Sequence, residues 1–210
     1  MKPLADCALY TFVDSAYLRG RDVADVAQQL CEGGSDLIQL RAKDWPREQI
    51  KDAAEKILPV TRNHGVGLVI NDHLDLADEL AADICHLGQE DFFDSGRTHI
   101  SQLPRKSNVR IGLSTHAPEQ AQRAIEAGAD YVAIGPVFPT GTKPAAKPVT
   151  LEYVRWATAN VKVPWFAIGG INLQTVDQVL GAGATRICVV SAILNAPDIA
   201  EACRDFKRRF

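Results

Sequence analysis

The sequence predicts a single-domain α/β fold over residues 1–210, a closed (β/α)8 barrel of the TIM type, from three observations. Eight short apolar runs alternate with stretches whose apolar residues recur at three-and-four spacing, as strands and helices do around a parallel sheet. A short pattern (a small residue, then Ala or Ser, then Asp, then an apolar run) returns at a fixed interval. Polar and glycine residues gather just after the apolar runs, where barrels of this kind carry their active sites.

The first strand is expected from Ala8 to Val13, followed by a helix with the apolar stripe Val23, Val26, Ala27 and Leu30. Strand two runs from Leu37 to Leu40. Pro46 then suits the first turn of a helix buried through Ile50, Ala53 and Ile57, which Pro59 should end or kink. Strands three and four span Gly67 to Ile70 and Ile84 to His86; the stretch from Asp94 to Ser107 has little period. Strands five to eight follow as Val109 to Leu113, Tyr131 to Ile134, Trp165 to Ile168 and Ile187 to Val190. Between the last two, Asn172 is placed to cap a helix whose inner face is Leu173, Val176 and Leu180.

The recurring pattern fixes the count. It occurs as Gly34-Ser35-Asp36-Leu37, Ala81-Ala82-Asp83-Ile84 and Gly128-Ala129-Asp130-Tyr131, with successive Asp residues 47 apart, and a looser copy is Gly183-Ala184-Thr185. Four copies, each opening an even-numbered strand, describe four quarters of an eightfold barrel. An open doubly wound sheet has no reason to repeat in this way, and no G-x-G-x-x-G follows the first strand.

Composition narrows the function classes. A chain of 210 residues with 46% hydrophobic residues buries a core without disulfides or structural metal. With 23 basic and 26 acidic residues the formal charge is -3, which gives no general attraction to nucleic acid phosphates. Five cysteines with no C-x-x-C pair read as small buried hydrophobes in a reducing compartment. There is no apolar signal core ahead of strand one and no membrane-length apolar run, so a cytoplasmic protein is expected.

The strand ends carry the chemistry. Strand two ends in Gln39-Leu40-Arg41-Ala42-Lys43, strand three in Asn71-Asp72, strand four in His86 to Asp91 and strand five in Ser114-Thr115-His116. Strand six runs into a long loop with Thr140, Thr142 and Lys143, strand seven into Gly169-Gly170, and strand eight into Ser191. Two glycines alone would make only a tight turn. Beside Ser191, and followed by a helix start, they form the pair of loops where barrels commonly hold a phosphate. Arg41, Lys43 and Lys143 are three cations for a polyanion. Asp72 and Asp91 end neighbouring strands and suit a hard oxygen-liganded cation, Mg²⁺, bridging to phosphate oxygens. Each would be a surface ion pair or cap in isolation; their joint placement at strand ends changes the odds. His86 reads as a hydrogen-bonded barrel residue, and His116 faces the site.

At these residues the chain resembles the thiamine phosphate synthase family. The resemblance is carried in order by IQLRAK at 38 to 43, VINDHLDLA at 69 to 77, CHLGQEDF at 85 to 92, IGLSTH at 111 to 116, GADYVAIGPVFPTGTK at 128 to 143, AIGGIN at 167 to 172 and VVSAI at 189 to 193. It implies a Mg²⁺-dependent transferase that joins hydroxymethylpyrimidine diphosphate to hydroxyethylthiazole phosphate, releasing pyrophosphate. On that resemblance Gln39, Arg41, Lys43, Asn71, Ser114 and Lys143 contact the pyrimidine diphosphate, and Arg41, Lys43, Ser114 and Lys143 carry the catalysis. Asp72 and Asp91 hold the metal, Thr140 and Thr142 lie near the thiazole end, and the backbone of Gly170, Val190 and Ser191 cradles its phosphate. Ala42 departs from the family, where an acidic residue is common. The expected partners are these small molecules, with no nucleic acid or membrane and with homo-oligomerisation left open. Three other readings stand beside this one: a thiazole tautomerase of the same fold acting through a histidine after strand five, a Schiff-base aldolase using Lys43 or Lys143, and a non-catalytic phosphate-binding barrel.

Overall fold

In the computed structural model, which describes residues 1–141 and 147–210, the strands close into one parallel barrel. They are β1 (Leu9–Asp14), β2 (Leu37–Arg41), β3 (Gly67–Asn71), β4 (Ile84–Leu87), β5 (Arg110–Thr115), β6 (Tyr131–Ile134), β7 (Trp165–Ile168) and β8 (Ile187–Cys188). Each pairs with the next, and β8 returns to β1 with Ile187 opposite Leu9 and Cys188 opposite Tyr10. Helices α1 (Ser15–Leu18) and α2 (Val23–Glu32) follow β1. Next come α3 (Arg47–Asn63), α4 (Leu74–Glu79), α5 (Gln89–Asp94), α6 (Pro118–Glu126), α7 (Thr150–Asn160) and α8 (Val176–Gly181), each after the strand of one lower number. Helices α9 (Ser191–Leu194) and α10 (Ile199–Lys207) follow β8. The ring of helices closes where α10 meets the end of α2: a Cβ on Gly33 would lie 2.3 Å from the Cβ of Cys203.

Side chains alternate across the sheet because successive Cβ atoms point to opposite faces. On β1, Tyr10 and Phe12 enter the barrel, while Thr11 faces the helices and its hydroxyl meets that of Ser35 at 2.6 Å. Tyr10, Tyr131 and Phe166 fill the barrel interior edge to face, with both tyrosine rings 5.4 Å from the Phe166 ring. Gly112 on β5 makes room for this layer, since a Cβ there would sit 2.1 Å from the Tyr131 ring. The bulk cannot be relieved by a flexible chain end, so Gly112→Ala is expected to cost about 1–3 kcal/mol. Thermal unfolding checks it; an unchanged midpoint would show that the tyrosine layer can shift.

The recurring aspartates stand at the opposite rim from the cavity and bind the starts of the odd strands. Asp36 accepts the N–H groups of Ala8 and Leu9 at 2.7 and 2.9 Å, Asp83 that of Leu68 at 2.9 Å, and Asp130 that of Ile111 at 2.7 Å. Each carboxylate at the head of an even strand therefore satisfies backbone donors that the preceding strand leaves unpaired. The looser fourth copy has Thr185 in place of the carboxylate.

Several boundaries differ from expectation. α3 continues through Pro59 to Asn63, because Ile57 and Leu58, immediately before it, are buried against the barrel. Burial of two such side chains, at about 1.5–3 kcal/mol each, offsets the ~3 kcal/mol of a helix-interior proline. β5 extends to Thr115, so Ser114 and Thr115 belong to the strand itself. β8 ends at Cys188, since Val190 leaves extended geometry (ψ -88) to start α9. Asn172 caps a turn, accepting the N–H groups of Gln174 and Thr175, and α8 begins only at Val176. Its inner face is Val176 and Val179, and Leu173 is exposed.

Candidate active site

The carboxyl ends of the strands enclose one cavity of ≈ 280 Å³. Its β2 wall is built by Gln39 and Arg41, two residues apart and so on the same face of the strand. Arg41 Nη1 donates to Asp14 Oδ2 at 2.8 Å, and Asp14, its register partner on β1, is 1% exposed. One carboxylate oxygen thus fixes the guanidinium at the cavity edge, and the other caps α1 through Ala16 N–H at 3.0 Å. Asp14 was missed as a site residue in the sequence; a polar residue ending strand one was the available signal. Lys43 lies further out, half exposed, with Nζ 3.8 Å from Asp72 Oδ2.

Asp72 is set by its backbone. Its φ of 64° is left-handed, and its N–H bonds across to the carbonyl of His86 at 2.9 Å. Asn71 Nδ2 donates to Asp72 Oδ2 at 2.6 Å, which turns the carboxylate toward the mouth. Asp91 stands in the first turn of α5, where the helix N-terminus favours negative charge. Its carboxylate folds back over Gly88, so close that a Cβ on Gly88 would lie 2.6 Å from Asp91 Oδ2. Both carboxylates line the one cavity. Among the described residues no group of three or more His, Cys, Asp or Glu forms a metal cage. The hard oxygen donors of Asp72 and Asp91 are of the kind that would hold Mg²⁺.

The far wall comes from β5 to β8. Ser114 accepts the N–H of Gln89 at 3.3 Å, linking β5 to the start of α5. The loops after β6 and β7 are laced together: Val137 N–H bonds Ile168 O at 2.8 Å and Phe138 N–H bonds Gly169 O at 3.0 Å. Gly169 and Gly170 have φ of 102° and 66°, and a Cβ on Gly170 would meet the Pro139 carbonyl at 2.6 Å. Both demands, positive φ and close backbone approach, admit only glycine. Beside them Val190 and Ser191 start α9. No acceptor among the described residues takes the N–H of Gly170, Val190 or Ser191. The helix beside this donor cluster is α9, whereas the sequence pointed to the helix after Gly170.

Eleven residues expected from the sequence (Gln39, Arg41, Lys43, Asn71, Asp72, Asp91, Ser114, Thr140, Gly170, Val190 and Ser191) line this one cavity. Thr142 and Lys143 lie outside the described residues. His86 and His116 also line it; His86 Nδ1 pairs with the Tyr131 hydroxyl at 2.8 Å and His116 Nδ1 with the Gly135 carbonyl.

A protein-family description, thiamine monophosphate synthase, matches residues 9–193. The chain belongs to that family. It is 46% identical over 187 residues to the thiamine-phosphate synthase of Thermus thermophilus, covering 88% of this chain and 87% of that one. It is 41% identical over 208 residues to the thiamine-phosphate synthase of Acidothermus cellulolyticus, covering 98% and 96%. A solved structure of thiamine phosphate pyrophosphorylase from Pyrococcus furiosus superposes with a TM-score of 0.82 at 28% identity, over 99% of this chain and 96% of that one. Membership of the thiamine monophosphate synthase family makes the chain a transferase of thiamine biosynthesis on a TIM barrel, acting on small molecules. No helix among the described residues is long and apolar enough to cross a membrane.

The aldolase reading loses ground at Lys43 on the same geometry, while Lys143 lies outside the described residues. Lys43, 52% exposed and facing a carboxylate, lacks the burial that would activate an aldolase lysine. All five cysteines are buried, and burial pushes the Cys7 thiol up to about 11 and that of Cys31 to about 12, so neither is a nucleophile at neutral pH.

Proposed function

We propose that this cavity joins hydroxymethylpyrimidine diphosphate to hydroxyethylthiazole phosphate, giving thiamine phosphate and pyrophosphate. The observation that carries the reading is the meeting of two cations, three carboxylates (Asp72, Glu90 and Asp91) and a cluster of backbone donors at one mouth. Arg41, held by Asp14, and Lys43 bind the diphosphate with Gln39, Asn71 and Ser114. Asp72 and Asp91 hold Mg²⁺, which when bound neutralises charge on the leaving diphosphate. The N–H groups of Gly170, Val190 and Ser191 hold the thiazole phosphate, with Thr140 near the thiazole. Thr142 and Lys143 join these groups on family resemblance.

The chemistry follows from where charge grows. As the bond from the pyrimidine methylene to the diphosphate breaks, negative charge builds on the leaving group, and Arg41 and Lys43 stabilise it. Positive charge builds on the methylene, and the electron-rich aminopyrimidine spreads it. The thiazole nitrogen, tethered by its phosphate, attacks that carbon; orientation of this kind is worth up to ~7–11 kcal/mol. No protein nucleophile takes part. The reading further includes one domain over residues 1–210, a cytoplasmic setting, and no nucleic acid or membrane partner, in keeping with the net charge of -3.

The test mixes both substrates with the chain, with and without Mg²⁺, and follows thiamine phosphate by fluorescence after oxidation. Product only with Mg²⁺ is expected; a pyrimidine diphosphate left intact while the thiazole is isomerised would replace this reading by the tautomerase. Gly88→Ala supplies a sharper check on the metal. The φ of -62° at Gly88 suits alanine, so the fold survives while the new methyl displaces the Asp91 carboxylate. The Mg²⁺ concentration for half-maximal rate is expected to rise about 10-fold or more, as when a metal ligand loses its support. An unchanged Mg²⁺ requirement would remove Asp91 from the metal.

A further inference from the structure

Beneath the cavity four polar side chains on four strands form an unbroken chain across the barrel. Gln39 Nε2 donates to the Tyr10 hydroxyl at 2.6 Å, Tyr10 and Tyr131 hydroxyls lie 3.1 Å apart, and the Tyr131 hydroxyl is 2.8 Å from His86 Nδ1. Tyr10 and Tyr131 are 1% and 0% exposed. Gln39 and His86, at the two ends, line the cavity.

We propose that the Tyr10–Tyr131 pair is a positioning relay that imposes one hydrogen-bond direction from Gln39 to His86. It holds Gln39 with its carbonyl oxygen toward the cavity and His86 as the neutral tautomer protonated on Nε2. The direction follows from donor arithmetic. An amide nitrogen can only donate, so the Tyr10 oxygen accepts from Gln39 and directs its single proton to Tyr131. Tyr131, having accepted, directs its own proton to His86 Nδ1. A neutral imidazole whose Nδ1 accepts carries its proton on Nε2. Burial pushes both phenols well above their ordinary range, so neither loses the proton that the relay needs. Pairing buried hydroxyls in this way also avoids the penalty of an unsatisfied polar group. A substrate in the cavity, which Tyr10 also lines, therefore meets a fixed acceptor on Gln39 and a fixed imidazole tautomer on His86, both oriented by the tyrosine pair.

The proposal rests on the cavity being the reaction site, but its first test does not. Long-range nitrogen–proton correlation on the nitrogen-15-labelled, ligand-free chain is expected to show a pyridine-type Nδ1 and a pyrrole-type Nε2 for His86. A protonated Nδ1, whether in the other tautomer or in the imidazolium, overturns the relay. Tyr131→Phe keeps the ring that packs on Phe166 and is expected to draw the two nitrogen shifts toward each other as the tautomers average; unchanged shifts overturn the proposal. Should that variant fail to fold, the parent tautomer alone decides. In turnover, Tyr10→Phe is expected to raise KM for the pyrimidine diphosphate about 2- to 10-fold, one net hydrogen bond, with the thiazole phosphate KM unmoved. An equal rise for both substrates would mean general loosening and overturn the relay. No activity in the parent chain, with the tautomer as expected, would count against the reaction and leave the relay standing.

Discussion

Replacing Asp72 by Asn is expected to lower kcat on the order of 10²–10³-fold, the effect of deleting one group from an electrostatic cradle around developing charge. The substitution isolates charge. Asn matches Asp in size and tolerates the left-handed backbone that position 72 adopts at φ 64°. The N–H bond from residue 72 to the His86 carbonyl needs no side chain. Because the carboxylate is 37% exposed and its Lys43 partner 52%, the pair adds little to stability, and the thermal midpoint is expected to hold. Pyrophosphate release measured across a Mg²⁺ titration is the check. Parental turnover in Asp72→Asn would show that this carboxylate has no part in holding the metal.

Replacing Asp36 by Ala is expected to produce the largest loss of stability from a single side chain. This carboxylate, 7% exposed, accepts the backbone N–H groups of Ala8 and Leu9 where β1 begins and pairs with Lys2 and Lys207, each at 2.6 Å. It therefore ties the N-terminal segment, β1, β2 and α10 at the seam where the barrel closes. Its removal orphans two N–H groups at about 1–3 kcal/mol each, for a total of about 2–6 kcal/mol. In a chain of this size that lowers the melting midpoint by about 5–15 °C. Burial alone would raise the Asp36 carboxyl, but the N–H of Leu9, both lysines and the N–H of Ala8 hold it below the ordinary 3.8. A folded-state value below the unfolded one stabilises fully above the unfolded value and fades as pH falls through the folded one. The difference between parent and variant in denaturant unfolding should thus be flat near neutrality and shrink only below about pH 4. A difference that instead grew on acidification would contradict the depressed carboxyl.

Much of the architecture was legible because it is local. The alternation from Ala8 to Val190 located all eight strands, since a strand buried on both faces must be continuously apolar and a helix over a sheet must carry a stripe. The 47-residue spacing of Asp36, Asp83 and Asp130 counted the barrel's quarters correctly, although the spacing did not reveal their common task at the N-terminal rim. Errors fell where tertiary burial outweighed local preference. Pro59 reads as a helix end or kink, and α3 runs on past it where Ile57 and Leu58 anchor it; Leu173 reads as core but lies on a turn that Asn172 caps.

The site divides in the same way. Gln39, Arg41, Asp72 and Gly170 were visible because a barrel gathers strand ends at one rim, so position along the chain already implied position in space. Asp14, Tyr10, Tyr131 and His86 were not visible as a set, because their meaning lies in pairings across 27 to 121 residues of chain. A sequence records which residue ends a strand. Which neighbour then receives its proton or turns its guanidinium depends on strand register and barrel closure, and those are settled only when the last strand hydrogen-bonds to the first.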